Sequence, residues 1–495
     1  MSIGAQLKSG MLWVFLQQFG QQIVSFGVTI ILARLIEPSD FGLIAMITIF
    51  TAVGGALIDG GMGLSIQRSK NVSQMELSSV FWVNIGLAVL LYITLYLCAP
   101  NISHFYGQER LIDIIRVYFL VLPIRASSKL QNTLFTKSLK FKKQSLISLP
   151  AIGFSACLGL GLAYYGYGVW SLVWITISQA LLYSVLLWFH SSWKPDFYFD
   201  INTFKKHAIF GYKLKLIDLI NAISDQIYSV VIAKMYNATV LGFYNRANSL
   251  RMLPVSNFSN ALKRVTFPLL SRYQEDKDLM ERYYLKLIRL ISFIIFPLLV
   301  LGIILSDSLI ILVLSNKWES AIPFFRLLCV ASFFIPLTTF NRNFVKLHGL
   351  ANILVKAEVG LKIVTLSMLF FVVKFGIQGL LWYQVGISFL AFLVSVVVVR
   401  RSVHIQYHDI VRELMPVVLF NTLVFFLVYF LDKYFFYDIN HLFRILTVGA
   451  TFVVPYVLVS FILRDSSLEM ILKSTVKNKM NSKIYISLNN YYQWN

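Results

Sequence analysis

A chain of 495 residues in which 57% of side chains are hydrophobic and only 14% are charged lies far from the soluble norm of about 25% charged residues, which excludes a sizeable water-soluble domain. The formal charge of +21 is dispersed among connections between apolar runs, which argues against a nucleic-acid partner. The three cysteines, Cys98, Cys157 and Cys329, sit in or beside apolar runs with no CxxC pair, so they read as small core hydrophobes and not as a disulfide framework or zinc site.

In chain order, apolar stretches predict membrane-spanning helices at 12–32, 41–66, 77–98, 111–130, 147–165, 169–189, 210–232, 241–270, 287–305, 323–345, 354–373, 376–399, 414–431 and 445–463. Each approaches or exceeds the roughly 20 helical residues that cross a bilayer core. The first follows Lys8, holds four glutamines and is longer than the apolar region of a cleavable signal, so it is read as a retained helix. Basic residues alternate between connections: Arg68 and Lys70, Lys137 to Lys143, Lys194 to Lys206, Arg272 to Arg282, Arg400 to Arg412, and Lys473 to Lys479. Under the positive-inside rule these connections and both termini are cytoplasmic. The expected fold is an all-α integral membrane protein of about 14 helices.

A repeat is visible at an offset of 200 residues. Ala33-Arg34, seven residues and Gly42 recur as Ala233-Lys234, seven residues and Gly242. Gln18, Gln21, Ser25 and Thr29 overlay Asp218, Asn221, Asp225 and Ser229 on one helix face. The expected organisation is therefore a parallel duplication: an N-lobe at 1–195, a C-lobe at 196–402, two further helices at 403–463 and a cytoplasmic tail at 464–495. Transporters commonly place substrate between such repeats.

Polar groups concentrate in a few spans, where lipid would make them costly. The first carries Gln17, Gln18, Gln21 and Gln22, the second Asp59 in Asp59-Gly60-Gly61-Met62-Gly63, and the fourth Arg116, Arg125 and Lys129. The seventh carries Lys213, Lys215, Asp218, Asn221 and Asp225, and the eighth Asn245, Arg246, Arg251, Asn257, Lys263 and Arg264, with Pro254 as a kink site. Several basic groups near span ends suit snorkelling anchors equally well, and Asp218 or Asp225 can simply neutralise a neighbouring lysine. The positive excess that remains points to an anionic substrate. No GxxxxGK[ST], HExxH or GxSxG pattern occurs, so no ATP-driven, zinc-peptidase or serine-hydrolase chemistry is expected. His404 and His408 stand four apart in an ordinary basic connection. Segments 138–146 and 197–210 interleave lysine with aromatic or leucine residues and predict interfacial amphipathic helices.

Several stretches resemble the Wzx-type polysaccharide flippases: "ILARLIEPSDFGLIAM", Asp59 to Arg68, "LGFYNRANSLRMLP", "ALKRVTFPLLSRYQ" and "NKWESAIPFFRLL". The resemblance is closest to the fourteen-helix branch holding the colanic acid and teichuronic acid exporters of the multidrug/oligosaccharidyl-lipid/polysaccharide (MOP) superfamily. It implies alternating access, no enzyme activity, and undecaprenyl-diphosphate-linked oligosaccharide as cargo in the bacterial inner membrane, with polysaccharide polymerase machinery as a further partner. Under it, Arg116, Arg125, Arg246, Arg251, Lys263 and Arg264 are expected to hold the diphosphate. Gln18, Gln22, Asn221, Asn245 and Asn257 are expected to meet sugar hydroxyls. Asp59, Asp218 and Asp225 are candidates for coupling to a proton or sodium gradient, the membrane potential being the other drive; no cofactor or metal is expected. Alternative readings are a multidrug or other solute antiporter, a lipid II flippase, and a membrane polymerase or glycosyltransferase, the last disfavoured by short outward loops.

Overall fold

The computed structural model describes residues 3–271, 273, 276–403, 405–462 and 465–470, and these are mostly helical with no strand among them. Helix is the expected solution for a chain in lipid, because it satisfies backbone N–H and C=O groups within one segment. The chain forms two compact units, Met1–Asn245 and Arg246–Asn495. The first contains α1 (Ile3–Leu35), α2 (Pro38–Asp59), α3 (Met62–Arg68), α4 (Gln74–Tyr106), α5 (Leu111–Tyr118), α6 (Val121–Lys137), α7 (Phe141–Tyr164), α8 (Val169–His190), α9 (Ile201–Met235) and the start of α10 (Ala238–Ser271). The second contains the rest of α10, then α11 (Lys277–Ile304), α12 (Ser306–Leu314), α13 (Ile322–Ser332), α14 (Phe334–Leu347), α15 (Ala351–Val372), α16 (Gly376–Val399), α17 (Tyr407–Leu431) and α18 (His441–Ile462).

All the predicted stretches fall on helix, and among the described residues nine segments are long and apolar enough to cross a membrane. One of the nine, 352–399, folds as two helices, because Gly376 at φ 74° turns the chain between α15 and α16. Three predicted spans are interrupted, one of them 323–345, which divides into α13 and α14. The 41–66 span breaks at Gly60 and Gly61, whose φ of 49° and 77° suits glycine, and the 111–130 span divides into α5 and α6. Segments 138–146 and 197–210 are not separate interfacial helices: α7 already begins at Phe141, and 191–200 is a non-helical strap leading into α9.

Unit 1 is fastened at both ends of its helices. At one end, Asp40 near the start of α2 is buried and pairs with Arg110 at 3.0 Å. Gly168 before α8 comes so near that a Cβ there would sit 2.6 Å from the Asp40 carboxylate. Lys234 of α9 donates to the Phe105 carbonyl at 2.6 Å, at the C-terminus of α4 where a cation suits the helix dipole. Here too, a side chain at Gly42 would collide with the Ala238 backbone, and one at Gly242 with the Pro38 carbonyl. The contact is reciprocal across the 200-residue offset. At the opposite end Gly61 and Gly211 meet backbone to backbone, joining the α2–α3 break to α9. Close approach of this kind requires residues without a Cβ.

Unit 2 has an apolar core where α11, α17 and α18 meet: Phe293, Val300, Val424, Val428, Phe452 and Tyr456. Ion pairs close it at its ends. Arg289 of α11 contacts Glu413 at 3.1 Å and Asp465 at 2.6 Å. Arg444 of α18 grips Asp432 through two bonds of 2.8 and 2.6 Å, both residues being 3% exposed. Between α11, α14 and α16 runs a satisfied polar chain, in which the Tyr284 hydroxyl donates to Asn341 Oδ1 and Asn341 Nδ2 donates to Ser395 Oγ.

Candidate functional site

The α6 sequence places Arg125, Ser128, Lys129 and Asn132 at i, i+3, i+4 and i+7, one stripe of a helix. Its other side is held by Leu130 and Phe135, both buried. Hydrogen bonds fix α6 against α8: Ser128 Oγ and Ser184 Oγ are 2.7 Å apart, Ser184 donates to the Ile124 carbonyl at 2.9 Å, and the Trp188 indole donates to the Ser127 carbonyl at 3.1 Å. The stripe therefore has a set orientation.

It faces a cavity of about 400 Å³ within unit 1. Gln21 of α1, Thr51 and Gly55 of α2, Arg125, Lys129 and Asn132 of α6, Ser148 of α7, and Gln179 and Tyr183 of α8 line the wall. No aspartate or glutamate is among the described lining residues. The Arg125 side chain has no ion pair or hydrogen bond among the described residues. Asn132 is oriented by its neighbours: Gln144 Nε2 and the Tyr183 hydroxyl each donate to its Oδ1 at 2.9 Å. Both lone pairs of that oxygen are used, so the Asn132 amide NH₂ is left to donate.

The site is thus rich in donors, and its Arg125 has no carboxylate partner among the described residues. A phosphate or carboxylate fits it, since guanidinium meets such groups bidentately while lysine adds a point charge. Amides of Gln21, Gln179 and Asn132 suit the remaining oxygens of an anion or the hydroxyls of a sugar.

Of the residues expected to act, Arg125 lines this cavity. Gln18 and Gln22 of α1 do not; Gln21, on the same helix, does. Arg116 is half-buried with its guanidinium 4.9 Å over the Tyr96 ring. Asn221 is half-buried on α9, whose neighbour Gln226 accepts from Thr48 of α2 at 3.2 Å. On α10, Asn245 and Arg246 are half-buried and engaged, whereas Asn257 and Lys263 are exposed. Arg251 is committed inside unit 2, where it donates to Asn248 Oδ1 at 2.9 Å, Ser332 Oγ at 2.6 Å and the Leu328 carbonyl at 3.3 Å. The side chains of Asp59, Asp218, Asp225 and Arg264 lie outside the described residues. Sequence reasoning missed Asn132, Gln179 and Tyr183 altogether. The i, i+4, i+7 stripe of α6 was the available signal for the first.

Comparison with known proteins places these features. The family model described as polysaccharide biosynthesis protein matches residues 31–323. An uncharacterized membrane protein in the cps region of Klebsiella pneumoniae is 29% identical over 329 residues, 64% of this chain and 66% of that one, so the chain spans just under two thirds of that relative. The teichuronic acid biosynthesis protein TuaB of Bacillus subtilis (strain 168) is 26% identical over 80% of this chain and 82% of its own length. Among solved structures, the lipid II flippase MurJ in an inward closed conformation superposes with a TM-score of 0.71 at 15% identity, covering 92% of this chain and 99% of that one. At that identity the likeness establishes the fold.

Proposed function

We propose that this chain, which belongs to the polysaccharide biosynthesis protein family, is a flippase and not an enzyme. Its cargo is an undecaprenyl-diphosphate-linked oligosaccharide, carried by alternating access from the cytoplasmic to the outer leaflet of the bacterial inner membrane for surface-polysaccharide synthesis. Both termini are cytoplasmic in this reading, and the product is handed to a polysaccharide polymerase. The observation that carries the proposal is the Arg125 guanidinium, with no counter-ion among the described residues, in a polar cavity of about 400 Å³. A sugar diphosphate loses its water on entering hydrocarbon and needs donors in exchange. The unit 1 cavity supplies them: Arg125, Lys129 and Asn132 for an anionic group, Gln21 and Gln179 for hydroxyls. On unit 2, Arg246, Lys263 and Arg264 are proposed for the same headgroup chemistry, and Asn257 for hydroxyls.

The reciprocal Gly42 and Gly242 contacts support the reading of 1–195 and 196–402 as repeats. Moving negative charge outward against an inside-negative potential releases about 2.3 kcal/mol per charge per 100 mV, so the potential is proposed as one drive, with Asp59, Asp218 or Asp225 as sites for a coupled cation. The cationic lining of the cavity, with no acidic residue among the described ones, suits an anion better than the organic cations of an antiporter. Proteoliposomes loaded with lipid-linked oligosaccharide test the reading. Arg125→Ala should slow appearance of the sugar in the opposite leaflet at least tenfold, and an unchanged rate would sink the cavity's role. Transport of cationic dyes in place of the glycolipid would sink the cargo assignment.

A further inference from the structure

The strap at 191–200 is neither helix nor free loop. Four hydrogen bonds between its backbone and α4 hold it: Gln74 Nε2 donates to the Lys194 carbonyl at 2.7 Å, the Trp82 indole donates to the Asp196 carbonyl at 2.9 Å, and the Asp196 and Asp200 amides donate to Ser78 Oγ and Ser79 Oγ, each at 3.0 Å. The Trp193 indole adds a bond to Gln74 Oε1 at 2.6 Å. Ser78 and Ser79 are fully buried, so the strap is anchored into the body of unit 1.

What this anchoring presents is unusual for a fixed connection. Phe197 is 95% exposed, its ring stacked on Trp82 at 5.2 Å, and Tyr198 and Phe199 beside it are exposed as well. The strap leaves α8 at His190, where that membrane-long helix ends, and meets the start of α4, another such helix. Its rings therefore lie at the level where the bilayer gives way to water, the depth aromatic side chains prefer.

The same rim is basic. Segments 68–76, 137–146 and 191–200 hold seven lysines and arginines against three acids. One of those acids, Glu76, is already bonded to the Ser73 amide at 2.8 Å. Lys137 Nζ donates to the Ser69 carbonyl at 2.7 Å, which ties the α6–α7 turn to the α3–α4 connection and makes one continuous surface. Lys70, Lys140, Lys143 and Lys194 are exposed on it.

We infer that the pinned strap and the basic turns around it form a shelf that binds anionic phospholipid headgroups of the leaflet it meets, with Phe197, Tyr198 and Phe199 seated among the acyl-chain ends. A dispersed positive-inside bias needs no rigid aromatic element. Here the rings are preorganised, so ordering them on contact with lipid costs little entropy. Lysines at this depth attract acidic headgroups additively and within a Debye length. The inference is independent of the cargo and of the cavity at Arg125.

Thermal unfolding of the full chain in nanodiscs tests it. Replacing a third of phosphatidylcholine by phosphatidylglycerol should raise Tm by several degrees. The Lys70→Gln, Lys140→Gln, Lys143→Gln, Lys194→Gln combination should lose more than half of that gain with the Tm in pure phosphatidylcholine unchanged, and Phe197→Ser should lose part of it. Lys374→Gln with Lys433→Gln, exposed lysines of unit 2, should keep it in full. Equal lipid-dependent gains in wild type and the fourfold variant, or no gain in wild type, would overturn the shelf. Inorganic pyrophosphate added to pure phosphatidylcholine nanodiscs should leave Tm in place. A stabilisation by pyrophosphate that the fourfold variant loses would reassign the cations to a diphosphate and overturn the lipid assignment.

Discussion

Two sets of arginines in the two units differ in what they reach. In unit 2, Arg289, Arg326, Arg342 and Arg444 each reach a carboxylate at 2.6 to 3.1 Å. In unit 1, Arg125 faces a cavity with no carboxylate among its described lining residues. A paired arginine fixes neighbouring helices. Arg125, exposed in the cavity and bonded to no described residue, is left available to an arriving anion. The contrast separates charges that build the protein from charges that serve its cargo, although both kinds look alike in an apolar run of sequence.

The sharpest way to break this distinction is at Asp432. Asp432→Ala strands Arg444 in the core, and loss of one partner of a buried pair costs about 3–5 kcal/mol; a large drop in Tm and in membrane abundance is expected, and a wild-type melt would show that unit 2 does not rely on the pair. Gly42→Ala comes next. The added carbon meets the Ala238 backbone, and relief of such overpacking typically costs about 1–3 kcal/mol, read as a lowered Tm that Ala238 side-chain changes do not rescue. Arg125→Ala should instead leave the melt intact while reducing glycolipid transport at least tenfold, about 1.4 kcal/mol in the barrier; a lowered Tm with normal specific transport would move Arg125 into the building class. The smallest effect belongs to Ser73→Ala. It removes the hydroxyl that accepts from the Glu76 amide at 3.2 Å, and loss of such a cap costs about 1 kcal/mol, visible in the melt but not in the transport rate of the folded fraction.

The helices were legible because hydropathy reports a solvent, and in lipid one backbone form answers it. The breaks at Gly60-Gly61 and between α5 and α6 were harder, since an interruption inside an apolar run leaves the composition unchanged. The short α12 was not anticipated for a similar reason: its nine residues fall below the length that marks a span. Arg125 stood out as a cation in an apolar context. Asn132, Gln179 and Tyr183 did not, because they converge from α6 and α8 only after packing, and a lone amide in a helix has no pattern of its own. Arg251 shows the converse. Its place beside Asn248 and Ser249 suggested a polar groove, yet packing turns it onto Ser332 and the Leu328 carbonyl, a fact that depends on which face of α10 meets α13.

The paired glycine contact has a further meaning. Residue 42 meets residue 238 while residue 242 meets residue 38, which is the form of an isologous interface, where one patch is its own complement. The same two positions, the start of a helix and the glycine four residues on, thus supply both sides of the joint. One added side chain, at either glycine, would therefore be enough to part α2 from the start of α10.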